Sequence, residues 1–285
     1  MQLQYLGTAA AEGWPGIFCN CEQCETARIL GRRNIRTRSQ AVLYADAVGI
    51  GDVDDILLID LPPDTYMHVI HHGLRLDWIG HMLVTHSHDD HFSPEELAYR
   101  CSIFANPQPG FTLNIYGNEK VKLRFDEAVA YLNQDEWPLG INFHIVENFI
   151  PFEAGAYTVT PLPALHDKSE RCLIFMIEHE GKRILYGNDT GIFPDEVFKF
   201  IADKPFDLVS LDCTMGVKSE GTNHMGLPDA VEVRRRMDSI KCVKPTTKFV
   251  LHHFSHNGGP YHDAMVETAE PYNMECSYDG AVFNV

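Results

Sequence analysis

The sequence predicts a mixed α/β fold in which two packed sheets are covered by helices. Three observations predict it. Pairs of strand signals joined by turns alternate with helix signals along the whole chain. The 285 residues are 45% hydrophobic, enough for a substantial core, with no obvious repeat, low-complexity run or linker. Histidines and aspartates recur at the ends of the predicted strands. One domain over residues 1–285 is the expectation.

The charge balance narrows the partners. Forty acidic residues against 23 basic ones leave a formal net charge of −17, which disfavours a broad nucleic-acid or anionic-membrane surface. A small anionic substrate stays compatible, because bound metal ions dominate the charge around them. No apolar run approaches the ~20 residues that span a bilayer. The N-terminal residues lack the basic start and apolar centre of a signal peptide, so a cytoplasmic protein is expected. Its eight cysteines are then thiols or metal ligands before they are disulfides.

The first strand covers residues 2–6 and stops at the small-residue loop Gly7, Thr8, Ala9, Ala10. Cys19, Cys21 and Cys24 follow, three thiols within six residues. Thiolates this close repel one another unless a cation neutralises them, and a zinc site needs only one more ligand. A redox pair or an exposed loop is the alternative. Residues 39–45 and 55–60 read as a hairpin around a Gly/Asp-rich turn over residues 48–54. Asp60 ends its second strand, and an exposed strand-end carboxylate is the expected role, with contact to the metal shell as the alternative.

The centre of the pattern is the stretch after the buried strand Met82, Leu83, Val84. His86, His88, Asp90 and His91 are four candidate ligands within six residues, and imidazole with carboxylate suits zinc, manganese or iron. His86 and His88, two apart on extended backbone, point the same way. Asp90 and His91 follow a bend and can face a second ion. Ser93, Pro94 and Glu96 then predict a helix start with a capping box. Residues 101–140 hold a turn at 106–110, a strand at 113–116 and a helix at 119–132.

Strands return at 141–146 and 157–161, the latter running on to His166. A hairpin over 171–178 and 183–186 leads to Asp189, flanked by small residues and placed for a carboxylate shared by two ions. A helix from Pro194 to about Ala202 and a buried strand at 207–212 follow. His224 precedes a helix over about 228–240, near an N-terminus that favours anions. The strand at 248–251 ends in His252, His253 and, shortly after, His256. A helix around 263–270 and a strand near 281–285 close the chain.

The ordered set Thr85-His86-Ser87-His88-Asp89-Asp90-His91, His166, Asp189 and His253 resembles the metallo-β-lactamase-fold hydrolases over the whole chain. The resemblance implies a four-layer αββα sandwich with a binuclear metal site along one edge. It places one ion on His86, His88 and His166, the other on Asp90, His91 and His253, and makes Asp189 the bridge. A narrower resemblance, to the PhnP-like (phosphoribosyl cyclic phosphodiesterase) branch, rests on Gln4 to Gly16, the Cys-x-Cys-x-x-Cys run, Asn223-His224 and Tyr278-Asp279-Gly280. It implies a structural zinc on Cys19, Cys21, Cys24 and His256, leaves His252 outside both shells, and gives His224 phosphate contact and general-acid duty. Asp90 and His224 are the catalytic expectations.

The implied activity is hydrolysis of a small cyclic or linear phosphodiester, such as phosphoribosyl 1,2-cyclic phosphate, by a metal-bridging hydroxide. Two divalent ions (Mn or Zn, with Fe also compatible) and one structural zinc are the expected cofactors. No membrane or large nucleic acid is expected as a partner, and a homodimer is compatible. Three other readings stand: a ribonuclease Z-like tRNA 3′-processing enzyme, a factor like pyrroloquinoline-quinone biosynthesis protein B, and a non-catalytic binding module.

Overall fold

A computed structural model describes residues 1–46, 52–106 and 110–285. The predicted turns at 48–54 and 106–110 therefore lie in part outside the described residues. The first sheet is built from β1 (Gln2–Gly7), β2 (Gln40–Tyr44), β3 (Ile56–Ile59), β4 (His81–Leu83), β5 (Leu113–Gly117), β6 (Ile141–Ile145) and β14 (Val282–Asn284). Its order is β14-β1-β2-β3-β4-β5-β6. The second comprises β7 (Phe152–Ala154), β8 (Tyr157–Pro163), β9 (Leu173–His179), β10 (Lys182–Gly187), β11 (Phe206–Asp212), β12 (Val243–His252) and β13 (Glu275–Cys276). It is ordered β13-β12-β11-β10-β9-β8-β7.

Each sheet is half antiparallel and half parallel. In the first, β1 pairs antiparallel with β14 and β2, and β2 with β3, before β3 to β6 run parallel. In the second, β7 to β10 are antiparallel and β10 to β13 parallel. The period-2 alternation of side chains explains how one strand serves two layers. In β2 and β3, Ala41, Leu43, Leu57 and Ile59 face the space between the sheets with Tyr157, Phe175 and Leu208. Val42, Tyr44, Ile56 and Leu58 face the other way, into a core with Val121 and Phe125 of the helix α3 (Glu119–Val129). The outer face of the second sheet is covered by α1 (Glu22–Leu30), α4 (Asp195–Ile201), α5 (Leu227–Ser239) and α6 (His262–Ala269). α2 (Thr65–His72) follows β3. The four-layer αββα sandwich expected from the resemblance is the observed architecture.

The departures are local. The predicted helix after Ser93 is a 3-10 segment, Pro94–Arg100, and no capping box forms. Ser93 lies at φ −109°, ψ 75°, outside the extended backbone of an N-cap, and its N–H is bound to Leu61 O at 2.7 Å. α1, α2, β7 and β13 are elements the sequence pattern does not announce. α1 takes up the cysteine run itself, with Cys24 and Ala27 buried.

Candidate metal centre

All predicted site residues of the catalytic cluster converge at one edge of the sandwich, at the C-terminal ends of strands. The loop after β4 brings His86, His88, Asp90 and His91 from the first sheet. The ends of β8, β10 and β12 bring His166, Asp189 and His253 from the second. His86, His88 and His166 offer donor atoms within 4.8 Å of one another, and Asp90, His91, Asp189 and His253 do the same. His91 Nε2 lies 3.3 Å from Asp90 Oδ2, 3.6 Å from Asp189 Oδ2 and 3.2 Å from His253 Nε2. Asp189 also lies 3.4 Å from His166 Nε2, so it stands between the two groups.

Every imidazole has one nitrogen engaged away from the centre. His91 Nδ1 donates to Asp60 Oδ2 at 2.7 Å and His253 Nδ1 to Thr214 Oγ1 at 2.8 Å. His166 Nδ1 is 3.3 Å from Asn223 O, His88 Nε2 3.1 Å from Asp167 Oδ2, and His86 Nδ1 3.0 Å from Thr85 Oγ1. The inward nitrogens are then Nε2 of His86, His91, His166 and His253, and Nδ1 of His88. This is how outer partners orient imidazoles that ligate metals. His86 Nε2 is buried and has no hydrogen-bond partner among the described residues. Such an orphan is costly unless something binds it.

The electrostatics point the same way. Asp60, Asp90, Asp189 and Asp212 are all buried, and among the described residues their ion pairs are to histidines, never to Lys or Arg. Burial alone would lower the pKa of His91, but Asp90 and Asp60 raise it well above the usual imidazole value. Burial would raise Asp90, yet His91 and His253 hold it well below the carboxylate range. Buried carboxylates whose only charged partners are imidazoles form a donor set that suits divalent cations. Asp60 and His253 also sit at φ 66° and φ 60°. That left-handed backbone costs about 1–2 kcal/mol per residue, a strain that clusters at functional sites.

Asp60 departs from expectation. It is fully buried, not an exposed strand-end carboxylate, and it accepts from Thr85 N at 2.8 Å and Thr85 Oγ1 at 3.0 Å as well as from His91. It thereby clamps the motif from behind. Asp212 is a functional residue the sequence reading passed over as part of a strand. Its Oδ2 lies 3.1 Å from His224 Nδ1, and its Oδ1 accepts from the N–H of Met225 at 3.0 Å and of Thr214 at 2.9 Å. The available signal was its position: like Asp189, it closes an apolar strand.

His224 lies beside the cluster, its ring 4.9 Å from that of His166 and 6.0 Å from that of His253. Its Nδ1 is 2.7 Å from Asp189 Oδ1. Burial would lower its pKa, but Asp189 and Asp212 raise it to about 11. The loop is seated by backbone: Ile192 N donates to Gly221 O at 2.9 Å and Gly191 N to Leu165 O at 2.8 Å. A Cβ on Gly191 would come within 2.6 Å of Gly221 O, so only glycine permits this approach.

The second predicted site also assembles. Cys19, Cys21, Cys24 and His256 lie within 4.8 Å of one another, and all three cysteines are free thiols. Cys21 Sγ is 3.4 Å and Cys19 Sγ 3.9 Å from His256 Nδ1. A Cβ on Gly16 would lie 3.0 Å from His256 Nε2, so a side chain here would crowd the ring. Burial and the neighbouring thiols push Cys24 up to about 12, which is the repulsion a cation would relieve. Three thiols and one imidazole match a tetrahedral zinc site. His252 stands outside both groups, bound to Ser39 Oγ and Ser277 Oγ in the interior.

Residues 57–254 match the family model of the beta-lactamase superfamily domain. Coenzyme PQQ synthesis protein B of Acinetobacter baumannii (strain AYE) is 22% identical over 244 residues, covering 77% of this chain and 75% of that protein. Among solved structures, a diphosphatase from the PhnP family is similar at a TM-score of 0.74 and 20% identity, covering 100% of this chain and 97% of its own. Zn(2+)-bound PqqB from Methylobacterium extorquens is similar at a TM-score of 0.73 and 18% identity, covering 100% of both chains. Among the described residues no helix is long and apolar enough to cross a membrane. The chain belongs to the beta-lactamase superfamily and has the metallo-β-lactamase fold.

Proposed function

We propose that this protein is a binuclear metal-dependent phosphodiesterase acting on a small cyclic or linear phosphodiester, with phosphoribosyl 1,2-cyclic phosphate as the representative substrate. One observation carries the reading: His224, with Nδ1 2.7 Å from Asp189 Oδ1 and 3.1 Å from Asp212 Oδ2, stands directly beside two adjoining donor sets. His86, His88 and His166 would hold one ion, Asp90, His91 and His253 the other, and Asp189 would be shared. Divalent ions in these sets, manganese or zinc, supply Lewis-acid polarisation of phosphoryl oxygens and acidify water.

The chain's own residues do the rest. His224 gives its Nδ1–H to Asp212 Oδ2, with Asp189 Oδ1 2.7 Å away, which leaves Nε2–H to donate to a non-bridging phosphate oxygen or to the departing alkoxide. Asp212 keeps that imidazole charged and aimed when Asp189 is engaged elsewhere. Asp60 holds His91, and Thr214 holds His253, so both turn Nε2 inward. In a cyclic phosphate the leaving oxygen stays tethered near His224 after the bond breaks. The cysteine site would keep the N-terminal loop against the segment that carries His253.

Metal analysis of purified protein combined with a substrate panel tests the reading. The panel is bis(p-nitrophenyl) phosphate, ribose cyclic phosphates, 2′,3′-cyclic nucleotides, a diphosphate ester and pre-tRNA. Two ions at the cluster, one zinc at the cysteines and turnover of a small phosphodiester are expected. Preference for the diphosphate or for pre-tRNA would move the substrate class. Activity only with iron and oxygen would replace hydrolysis with the oxidative chemistry of the quinone-biosynthesis reading. His224→Ala should lower turnover about 10²–10⁴-fold, the range for a general acid, with metal content unchanged.

A further inference from the structure

The loop that carries His166 continues through Asp167, the outer partner of His88, and on through Lys168, Ser169 and Glu170. Two of them reach back to the motif on the opposite sheet. Asp167 Oδ2 lies 3.1 Å from His88 Nε2, and the same carboxylate accepts from the Ser169 N–H at 2.7 Å and hydroxyl at 2.9 Å. Glu170 accepts from the Ser87 N–H at 3.1 Å, from its hydroxyl at 2.7 Å and from Asn118 Nδ2 at 2.8 Å. Asn118 also donates to Arg171 O and caps α3 through its Oδ1. Lys120 donates to Ser169 Oγ at 2.7 Å. Both carboxylates therefore belong to an anchored loop, and each is aimed at one residue of the His86-Ser87-His88 run.

His88 is the histidine that needs this. Its side chain is 38% exposed, against 0% for His91, 1% for His253 and 6% for His166. Its ring meets those of His86 and His166 on one side, and the contact to Asp167 fixes it from the open side. We propose that Asp167 and Glu170 are positioning residues that together buckle the first histidine pair to the loop of the third histidine. Asp167 takes the Nε2–H of His88 and leaves Nδ1, 3.2 Å from His166 Nε2, as the inward donor. Glu170 fixes the peptide of Ser87, and with it the angle between His86 and His88. A neutral imidazole has one N–H, and giving it to a carboxylate sets the tautomer and strengthens the other nitrogen as a ligand. The inference rests on the reading of this cluster as a metal centre.

Calorimetric titration of metal-stripped protein with Zn²⁺ alone, without substrate, tests it. Asp167→Ala should weaken one of the two ions at the cluster by about 10–100-fold, the usual effect of removing such a partner. The other ion and the cysteine site should titrate as in the wild type. Asp167→Asn, whose amide oxygen still accepts from Nε2–H, should recover most of that affinity. Glu170→Ala should weaken the same ion by a smaller factor, with Glu170→Gln intermediate. The loop is at the surface, so the circular dichroism spectra should be unchanged. Wild-type affinity in Asp167→Ala, or an equal loss at every site, overturns the proposal while leaving the metal centre intact. A wild-type protein that takes up no ion at the cluster removes the metal-centre reading and this inference with it.

Discussion

Asp90, His91, Asp189 and His253 have side chains between 0% and 9% exposed, whereas His88 in the adjoining group stands at 38%. The buried group is held by side chains that are themselves interior: Asp60 behind His91, Thr214 and Asp212 behind His253. The other group opens toward solvent only at His88, which the 167–170 loop holds, while the side chains of His86 and His166 are nearly buried. In the first, ligand geometry and fold stability are one property, because each carboxylate or imidazole leaves a buried partner when removed. In the second they are separable. That contrast makes the buried half the more rigid part of the cluster and leaves the His88 side open to solvent.

The comparison breaks most sharply at Asp189, which lies between the groups. Asp189→Ala should lose both ions and bring turnover to background. Normal metal content, measured by atomic emission after gel filtration, would remove it as the shared residue. His91→Ala should lose metal and also destabilise the fold by about 3–5 kcal/mol, because Asp60 is left buried without its partner. His88→Ala should lose metal with little change in the urea midpoint. Equal destabilisation by the two would erase the distinction drawn above. Cys21→Ala should release about one zinc and cost on the order of 3 kcal/mol in thermal or urea unfolding, as loss of a metal staple does.

The smallest effect lies away from both metal groups and is a pH dependence. Burial lowers His68 to about 4, and Gln40 and Thr37 hold it; burial raises Asp279 to about 6. Thr37 Oγ1 touches both residues. The depressed histidine contributes stability above its unfolded value near 6.5 and loses it as pH falls toward 4. The raised carboxyl contributes stability below its unfolded value near 4 and loses it as pH rises through 6. The two slopes oppose each other and nearly cancel as a pair between pH 4 and 6. Relative to the wild type, His68→Gln should lose stability as pH rises through this window, and Asp279→Asn should lose it as pH falls. Each change is at most about 3 kcal/mol, readable as urea midpoints at pH 4.5 and 6.5.

The readability of the site in the sequence follows chain separation. His86, His88, Asp90 and His91 are six residues long as a pattern, and their spacing alone implies a geometry. His166, Asp189 and His253 are single residues, recognisable because each closes a strand and a resemblance supplies their order. Asp60 and Asp212 close strands too, but nothing local tells a buried carboxylate from an exposed one. α1 was hidden because its cysteines and charges mask its helical period, and its buried side is only Cys24 and Ala27. The capping box after Ser93 failed for the opposite reason: the local signal was present, but pairing with Leu61 drew the backbone out of the cap conformation.

By itself the sequence determined the periodicities that make two sheets, the turn residues that set most hairpins, and the ligand types whose chemistry calls for divalent cations. These are properties of short stretches, where steric limits on the backbone and side-chain alternation act without distant help. The tertiary structure alone decided which nitrogen of each histidine turns inward, that Asp60 and Asp212 are buried supports, and that loop 167–170 reaches His88. Those depend mostly on groups 12 to 79 residues apart meeting in a desolvated space, where an unpaired charge or N–H is costly enough to select one arrangement.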